Sequence, residues 1–251
     1  MDRSAPAVGY KSNRKNLWRR QVWNVVTREA EVKKWSALLM PSIEGHEIDI
    51  ATEKGFKQSQ LHVVDRNPAI MAHIKRRYPR VTTYGVTVGR ACERIAKQGI
   101  KLSFANLDFC GCLGKPLISE MDIVRRSGAL KDTAMVGVTM LRGRETARTL
   151  RMLRLTAPAL RERGGWQSEH WAQADQEKLN DMDIARIWVC AKYLDGLFPL
   201  RAGVYKSPNG CQTMLWCVML VQIPKTEDIR AHNELMRKRL DHYFETGECL
   251  E

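Results

Sequence analysis

Short apolar runs alternate with helix-like segments along most of the chain. The apolar runs predict five strands, at residues 35–40, 61–64, 81–84, 101–107 and 134–141. The segments between them carry helix signals, with Pro68 suited to a first turn and Gly55 and Gly99 suited to follow a last turn. Strands that are apolar almost throughout suit a sheet covered on both faces. The pattern therefore predicts an α/β fold with a doubly wound, mostly parallel, Rossmann-like sheet.

The pattern changes towards the end of the chain. A long helical region, residues 167–197, is followed by strand-like runs at 201–205 and 214–223, with Asn209-Gly210 between them. Asn-Gly between two such runs indicates a hairpin, so we expect an antiparallel hairpin to close the sheet. The predicted organisation is a basic N-terminal arm and helix (1–34), an α/β domain (35–223) and a C-terminal helical tail (224–251).

Composition narrows the class of protein. With 251 residues, 44% of them hydrophobic, the chain can bury one full core. It has no apolar stretch of membrane-spanning length, and its start lacks the apolar segment of a secretory signal, so we expect a cytoplasmic protein with no membrane partner. The seven cysteines include no CxxC pair, which predicts reduced thiols and no metal site.

The net charge of +13 is concentrated in two stretches of the sequence. One lies near the N-terminus, interleaved with Trp18 and Trp23, and the other follows the fifth predicted strand. A phosphate backbone is the commonest partner of such stretches, and a solvated basic face is the alternative for either one alone. Together they favour DNA or RNA as a partner, and the residues expected to bind it are Arg14, Lys15, Arg19, Arg20, Arg142, Arg144, Arg148 and Arg151.

Polar or small residues stand where the first four predicted strands end. In open α/β sheets a ligand binds beyond these carboxyl ends. The first strand is followed by Pro41-Ser42-Ile43-Glu44-Gly45, and the second ends at Asp65, twenty residues after Gly45. An acidic residue at that spacing commonly binds the hydroxyls of a ribose. Gly85-Val86 follows the third strand, and Asn106-Leu107-Asp108-Phe109 ends the fourth.

Each of these positions also has a structural explanation. Asp65 precedes Asn67-Pro68 and could cap the next helix. Asn106 and Asp108 could form a turn, and Phe109 could belong to the core. Repetition at successive strand ends favours a ligand site, and at such a position we expect Asp108 to be partly exposed.

The strand-end residues and the closing hairpin resemble the class I methyltransferases that use S-adenosylmethionine, particularly divergent methyltransferase-like proteins of phages and mobile elements. The resemblance covers residues 35–223. It implies S-adenosylmethionine as cofactor, with the first loop facing its methionine part and Asp65 holding its ribose. The cofactor contacts expected on this basis are Pro41, Ser42, Glu44, Gly45, Asp65, Arg66 and Val86.

The fourth strand end resembles the Asn/Asp-Pro-Pro-Tyr/Phe loop of enzymes that methylate amino groups of bases, although both prolines are missing. The resemblance implies that Asn106 and Asp108 accept hydrogen bonds from the target amine and that Phe109 stacks on its base. The expected function is methyl transfer from S-adenosylmethionine to nucleic acid, at a base amino group. The alternative is a non-catalytic protein of this fold that binds nucleic acid or a protein partner, because the first loop keeps only one glycine.

Overall fold

The computed structural model describes residues 13–28, 32–162, 179–206, 212–222 and 226–246. Its strands form one seven-stranded sheet in the order β3-β2-β1-β4-β5-β7-β6. The strand bounds are β1 (Ala37–Leu39), β2 (Leu61–Val64), β3 (Thr82–Tyr84), β4 (Leu102–Cys112), β5 (Leu130–Arg142), β6 (Gly196–Lys206) and β7 (Thr213–Gln222).

Strand directions follow the predicted pattern. Strands β1 to β5 run parallel to one another, whereas β7 is antiparallel to both β5 and β6. The mostly parallel sheet and its antiparallel closing pair are thereby confirmed. The Asn209-Gly210 turn itself lies outside the described residues.

Eight α-helices occur in the described part of the chain, and several begin at side-chain caps. Asn67 accepts a hydrogen bond from the Ala69 amide before Pro68, and Asn180 accepts one from the Asp183 amide. The helix bounds are α1 (Asn13–Arg28), α2 (His46–Glu53), α3 (Pro68–Arg77), α4 (Val88–Lys97), α5 (Lys115–Arg126), α6 (Ala147–Glu162), α7 (Asp181–Leu194) and α8 (Glu227–Thr246).

The helices cover both faces of the sheet. One apolar cluster joins α1, α2 and α3 to the sheet, and the other joins it to the helices α4 to α8. Helix α1 is central to the first cluster, because Trp23 packs edge-on against Phe56 and Phe104 at centroid distances of 5.3 and 5.1 Å. The N-terminal helix is therefore part of the core of the α/β domain.

Strand β4 continues beyond its predicted end at Leu107. It runs to Cys112, which pairs with Leu141 of β5 after an irregularity in register. Asn106, Asp108 and Phe109 consequently lie within a strand, so the turn that the sequence allowed at Asn106 and Asp108 does not occur. No helix among the described residues is long and apolar enough to cross a membrane.

Candidate active site at the strand ends

The candidate site lies between β1 and β4, where the strand order of the sheet reverses. Strands β1 and β4 are neighbours, but the helix after β1 packs in one apolar cluster and the helix after β4 packs in the other. In doubly wound sheets this is the point where a crevice opens beyond the carboxyl ends of the strands. The loop after β1 and the side chains of Asn106 and Asp108 meet here.

The loop after β1 is a tight turn that requires glycine. The Gly45 amide donates to the Ser42 carbonyl at 2.9 Å, and Gly45 has a φ of 67°. A Cβ at Gly45 would lie 2.5 Å from the Tyr78 ring. Arg77 donates to the Glu44 carbonyl at 2.7 Å, which ties the turn to the end of α3. The turn is therefore held in one conformation, with Pro41 buried and Ser42 and Glu44 half-buried.

Asp65 stands at the end of β2, as predicted, and is half-buried. Its Oδ1 accepts a hydrogen bond from the Asn67 amide at 2.7 Å, and Asn67 in turn caps α3. The helix cap considered for Asp65 is thus supplied by Asn67. Arg66 is exposed beside it, and Val86 is half-buried after β3.

Asn106 makes a buried contact that the sequence did not predict. It is 1% exposed and donates a hydrogen bond from Nδ2 to Oε1 of Glu47, in the first turn of α2. Across the sheet Asn106 faces Gly137, where a Cβ would lie 2.5 Å from the Asn106 Oδ1. Glycine at 137 therefore makes room for the carboxamide, and Glu47 joins the candidate site.

Asp108 is buried, which corrects the expectation of partial exposure. Lys15 of α1 lies over it, with 2.9 Å between the Lys15 Nζ and the Asp108 Oδ2. The exposed fractions of the two side chains are 15% and 6%. The sequence assigned Lys15 to a phosphate and Asp108 to a target amine, whereas in the structure they bind each other.

Phe109 does not join Asn106 and Asp108. Side chains of a strand alternate between faces, and Phe109 packs against the apolar cluster on the α4 to α8 side. Asn106 and Asp108 point to the opposite face, under α1. Phe109 thus has the core role that the sequence left open for it.

The electrostatics of the cluster depend on burial and on two cations of α1. Burial raises the pKa of Glu47 from 4.5 to about 7, with Arg19 opposing this rise and Asp108 adding to it. Arg19 is itself 2% exposed and donates to the Asn16 Oδ1 at 3.0 Å. Lys15 and Arg19 therefore face Glu47 and Asp108 in a nearly closed charge cluster.

Several buried polar atoms of this cluster have no hydrogen-bond partner among the described residues. They belong to three acidic or amide side chains and one hydroxyl: Glu47 Oε2, Asn106 Oδ1, Asp108 Oδ1 and Thr139 Oγ1. Buried polar atoms normally have partners, so such a group marks a place for water or a polar ligand. Surface hollows beside α8 and beside Phe56 lie away from this place, which α1 covers.

The basic residues assigned to nucleic acid separate into side chains that pair with groups of the protein and side chains that form no ion pair within the described part of the chain. Arg142 pairs with Asp183 at 3.0 Å, and Arg20 pairs with Glu53 at 2.7 Å. Together with Lys15 and Arg19, these side chains contact protein groups in the structure. The Arg14 side chain lies outside the described residues.

A second group remains on the surface around the start of α6, and we call it the α6 basic surface: Arg144, Arg148, Arg151 and Arg154. Arg148 donates to the Phe244 carbonyl at 3.1 Å and so ties α6 to the end of α8. The other three form no ion pair within the described part of the chain. Among the described side chains of the second basic stretch, these four are exposed and can reach a phosphate.

Comparison with known proteins identifies a fold. No family model matches the chain, and no curated protein matches it. Among solved structures it is similar to the N-methyltransferase NodS from Bradyrhizobium japonicum bound to S-adenosylhomocysteine, with a TM-score of 0.50 and 9% identity over 84% of this chain and 89% of that one. A methyltransferase from Agrobacterium tumefaciens aligns with a TM-score of 0.49 and 12% identity over 84% and 63% of the two chains. The chain has the α/β fold of S-adenosylmethionine-dependent methyltransferases.

Proposed function

We propose that the chain is a cytoplasmic methyltransferase, of the divergent type found in phages and mobile elements, that uses S-adenosylmethionine to methylate an amino group in nucleic acid. The observation that carries this proposal is the buried cluster of Glu47, Asn106 and Asp108. The cluster lies between β1 and β4, where the strand order reverses, in a sheet with the strand order of methyltransferases. Several of its buried polar atoms have no hydrogen-bond partner among the described residues. These are groups that would hold an amine.

The residues around the loop after β1 fit the cofactor. Glu44 and Glu47 each have a buried carboxylate oxygen with no partner among the described residues, and such oxygens would bind the ammonium of a methionine moiety. Asp65 would accept hydrogen bonds from the ribose hydroxyls, with Arg66 and Val86 beside the nucleoside. Pro41, Ser42 and Gly45 would form the wall of this subsite. When bound, S-adenosylmethionine would supply an electrophilic methyl group.

Asn106 and Asp108 would orient the acceptor. Their oxygens would accept hydrogen bonds from the amine and stabilise the positive charge that develops on its nitrogen, so catalysis would come from position and charge. An incoming amine must first take the place of Lys15 at Asp108. Phe109 packs on the other face of the sheet, so the proposed acceptor site is built from Asn106 and Asp108 without it.

Calorimetry with S-adenosylmethionine and S-adenosylhomocysteine tests the cofactor part of the proposal. Wild type should bind, and Asp65→Ala should bind about tenfold to a hundredfold more weakly, because a hydrogen bond to a charged group is lost. Asp132→Ala is the matched control. This exposed carboxylate lies near the amino end of β5, whereas Asp65 follows the carboxyl end of the parallel strand β2. No binding heat from wild type at millimolar ligand would refute the cofactor assignment.

The alternative function is non-catalytic binding of nucleic acid or a protein partner. The Lys15–Asp108 ion pair favours it, because this pair occupies the place that a methyl acceptor would need. Transfer of labelled methyl groups to mixed DNA and RNA distinguishes the two functions. Transfer by wild type supports the enzyme, whereas nucleic-acid binding without transfer to any acceptor supports the alternative.

A further inference from the structure

We propose that Lys15 is itself a methyl acceptor of this site, so that the chain methylates its own N-terminal helix. The inference rests on the proposed function and extends it to a second class of acceptor, the aliphatic amine of a lysine side chain. Its starting point is that the structure already holds one amine, the Lys15 ammonium, at the residue that we assign to the acceptor.

The position of Lys15 is defined by contacts with the candidate site. Its Nζ lies 2.9 Å from the Asp108 Oδ2, and the Lys15 side chain is only 15% exposed. On the same face of β4, two residues before Asp108, Asn106 binds Glu47. The ammonium therefore lies among the groups that would orient a substrate amine.

The cover formed by α1 favours a lysine over a planar base at this position. Trp18 stacks on Tyr205 and Trp216 at centroid distances of 5.5 and 6.1 Å, so the aromatic faces beside the cluster already have partners. A base would have to displace the first turn of α1 to reach Asp108. Lys15 reaches it from α1 without such a displacement, because its amine is carried on a flexible four-carbon stem.

A role of the Lys15–Asp108 pair in stability alone explains the cluster less completely than a role of Lys15 as methyl acceptor. Buried ion pairs contribute to stability only when additional hydrogen bonds satisfy their remaining lone pairs. Here the second oxygen of Asp108 and the second oxygen of Glu47 have no partner among the described residues. The cluster also holds Arg19, which would keep a positive charge near Glu47 while the amine reacts.

The proposed step is balanced in atoms and charge. The Lys15 ammonium first gives one proton to Asp108, and Asp108 passes this proton to water. The lone pair of the neutral amine attacks the methyl carbon of S-adenosylmethionine, the new N–C bond forms as the S–C bond breaks, and the sulfonium becomes the thioether of S-adenosylhomocysteine. The product is a methylated ammonium, which keeps its charge and its pairing with Asp108.

The experiment incubates the full chain with S-adenosylmethionine labelled in the methyl group, followed by peptide mass spectrometry. Label should appear on Lys15 at a rate per molecule that does not change with protein concentration, because donor site and acceptor belong to one chain. Lys15→Arg should abolish the label, since arginine keeps the pairing cation but is not a nucleophile. Lys33→Arg, at an exposed lysine after α1, should leave the label unchanged.

Asp108→Asn provides an independent check, because it keeps the size of the side chain. It should slow labelling of Lys15 by about tenfold to a thousandfold. Thermal unfolding and calorimetry on the same samples show that each variant is folded and binds the cofactor.

The outcomes distinguish this inference from the proposed function. If S-adenosylmethionine binds but Lys15 stays unlabelled, or if labelling is spread over exposed lysines, Lys15 is not an acceptor and the proposed function stands. If the rate of labelling per molecule rises with protein concentration, the methyl group passes between chains, and transfer within one chain is refuted. If calorimetry shows no binding, the proposed function fails and this inference fails with it.

Discussion

At the scale of single residues, the Lys15–Asp108 pair makes Asp108 a structural residue as well as a candidate catalytic one. Asp108→Ala would remove the buried carboxylate with which Lys15 pairs at 2.9 Å, and breaking a buried pair costs about 3–5 kcal/mol. We therefore expect a large loss in the free energy of unfolding, measured by urea denaturation.

Two further variants check this explanation. Asp108→Asn keeps a hydrogen-bond acceptor for Lys15 and should cost less than Asp108→Ala. The double variant Lys15→Met, Asp108→Ala removes both charges and should recover part of the loss. If Asp108→Ala is as stable as wild type, Lys15 and Asp108 do not form a buried ion pair in solution.

Glu47 should make the free energy of unfolding depend on pH, and the direction follows from its raised pKa. Its pKa is raised from 4.5 to about 7 in the folded state, chiefly by burial. Protonated Glu47 therefore favours the folded state, and its contribution is complete below about pH 4.5 and is lost as the pH rises through about 7. A shift of this size corresponds to about 3 kcal/mol.

The measurement is urea denaturation of wild type and Glu47→Gln near pH 5 and near pH 8. Glutamine resembles the protonated acid and does not titrate, so wild type should lose up to about 3 kcal/mol more than the variant between these conditions. Parallel curves for the two proteins would show that Glu47 does not titrate with a raised pKa.

At the scale of elements, helix α1 is held to the sheet by tryptophans and should fold only with it. Trp18 is 3% exposed against Tyr205 and Trp216, so Trp18→Ala should cost about 3–5 kcal/mol. Leu17→Ala in the same helix is the matched control, because Leu17 is 62% exposed and should cost little. Equal effects of the two changes in thermal denaturation would contradict the packing of α1.

The elements were predictable to the extent that their signals are local. The apolar runs located all five parallel strands, and the Asp65 position followed from the end of one of them. The extension of β4 to Cys112 was not predictable, because it depends on pairing with β5, about thirty residues later. The placement of Phe109 on the opposite face from Asp108 follows from this extension, because neighbouring residues of a strand alternate between faces.

The interior contacts of α1 were missed for a related reason. Arginine and lysine are usually exposed, so Arg19 and Lys15 were assigned to a partner outside the chain. Their acidic neighbours, Glu47 and Asp108, come from α2 and β4 and become neighbours only in the folded chain. The local clue was Trp18 between these cations and Trp23 shortly after them, which indicate that one side of the helix is buried.

At the scale of the whole molecule, we expect the excess positive charge to bind nucleic acid through the α6 basic surface. Charge reversal at Arg151 and Arg154 should weaken binding of any DNA or RNA sequence. It should also reduce the slope of log affinity against log salt by about 0.7–0.9 for each phosphate that the surface no longer neutralises. The measurement is fluorescence anisotropy over a range of salt concentrations.

Arg76→Glu is the control for this prediction, because Arg76 is exposed at the end of α3 on the other side of the sheet. It changes the net charge without touching the α6 basic surface, so its effect should be smaller. A flat salt response of wild type, or an equally weakened affinity with Arg76→Glu, would exclude the α6 basic surface as the nucleic-acid contact.

The two edge strands of the sheet are unsuited to recruiting another chain. Strand β3 has three residues, too few for an extended ladder of hydrogen bonds. Strand β6 is longer, but it contains Pro199, which has no amide hydrogen to donate, and its register is irregular on both sides of that proline. Edge-to-edge growth, a common start of β-aggregation, therefore finds only short regular stretches in the described strands, the three residues of β3 and the six from Arg201 to Lys206 in β6. Concentrated preparations of the folded protein should resist fibril formation even where the high net charge is screened by salt.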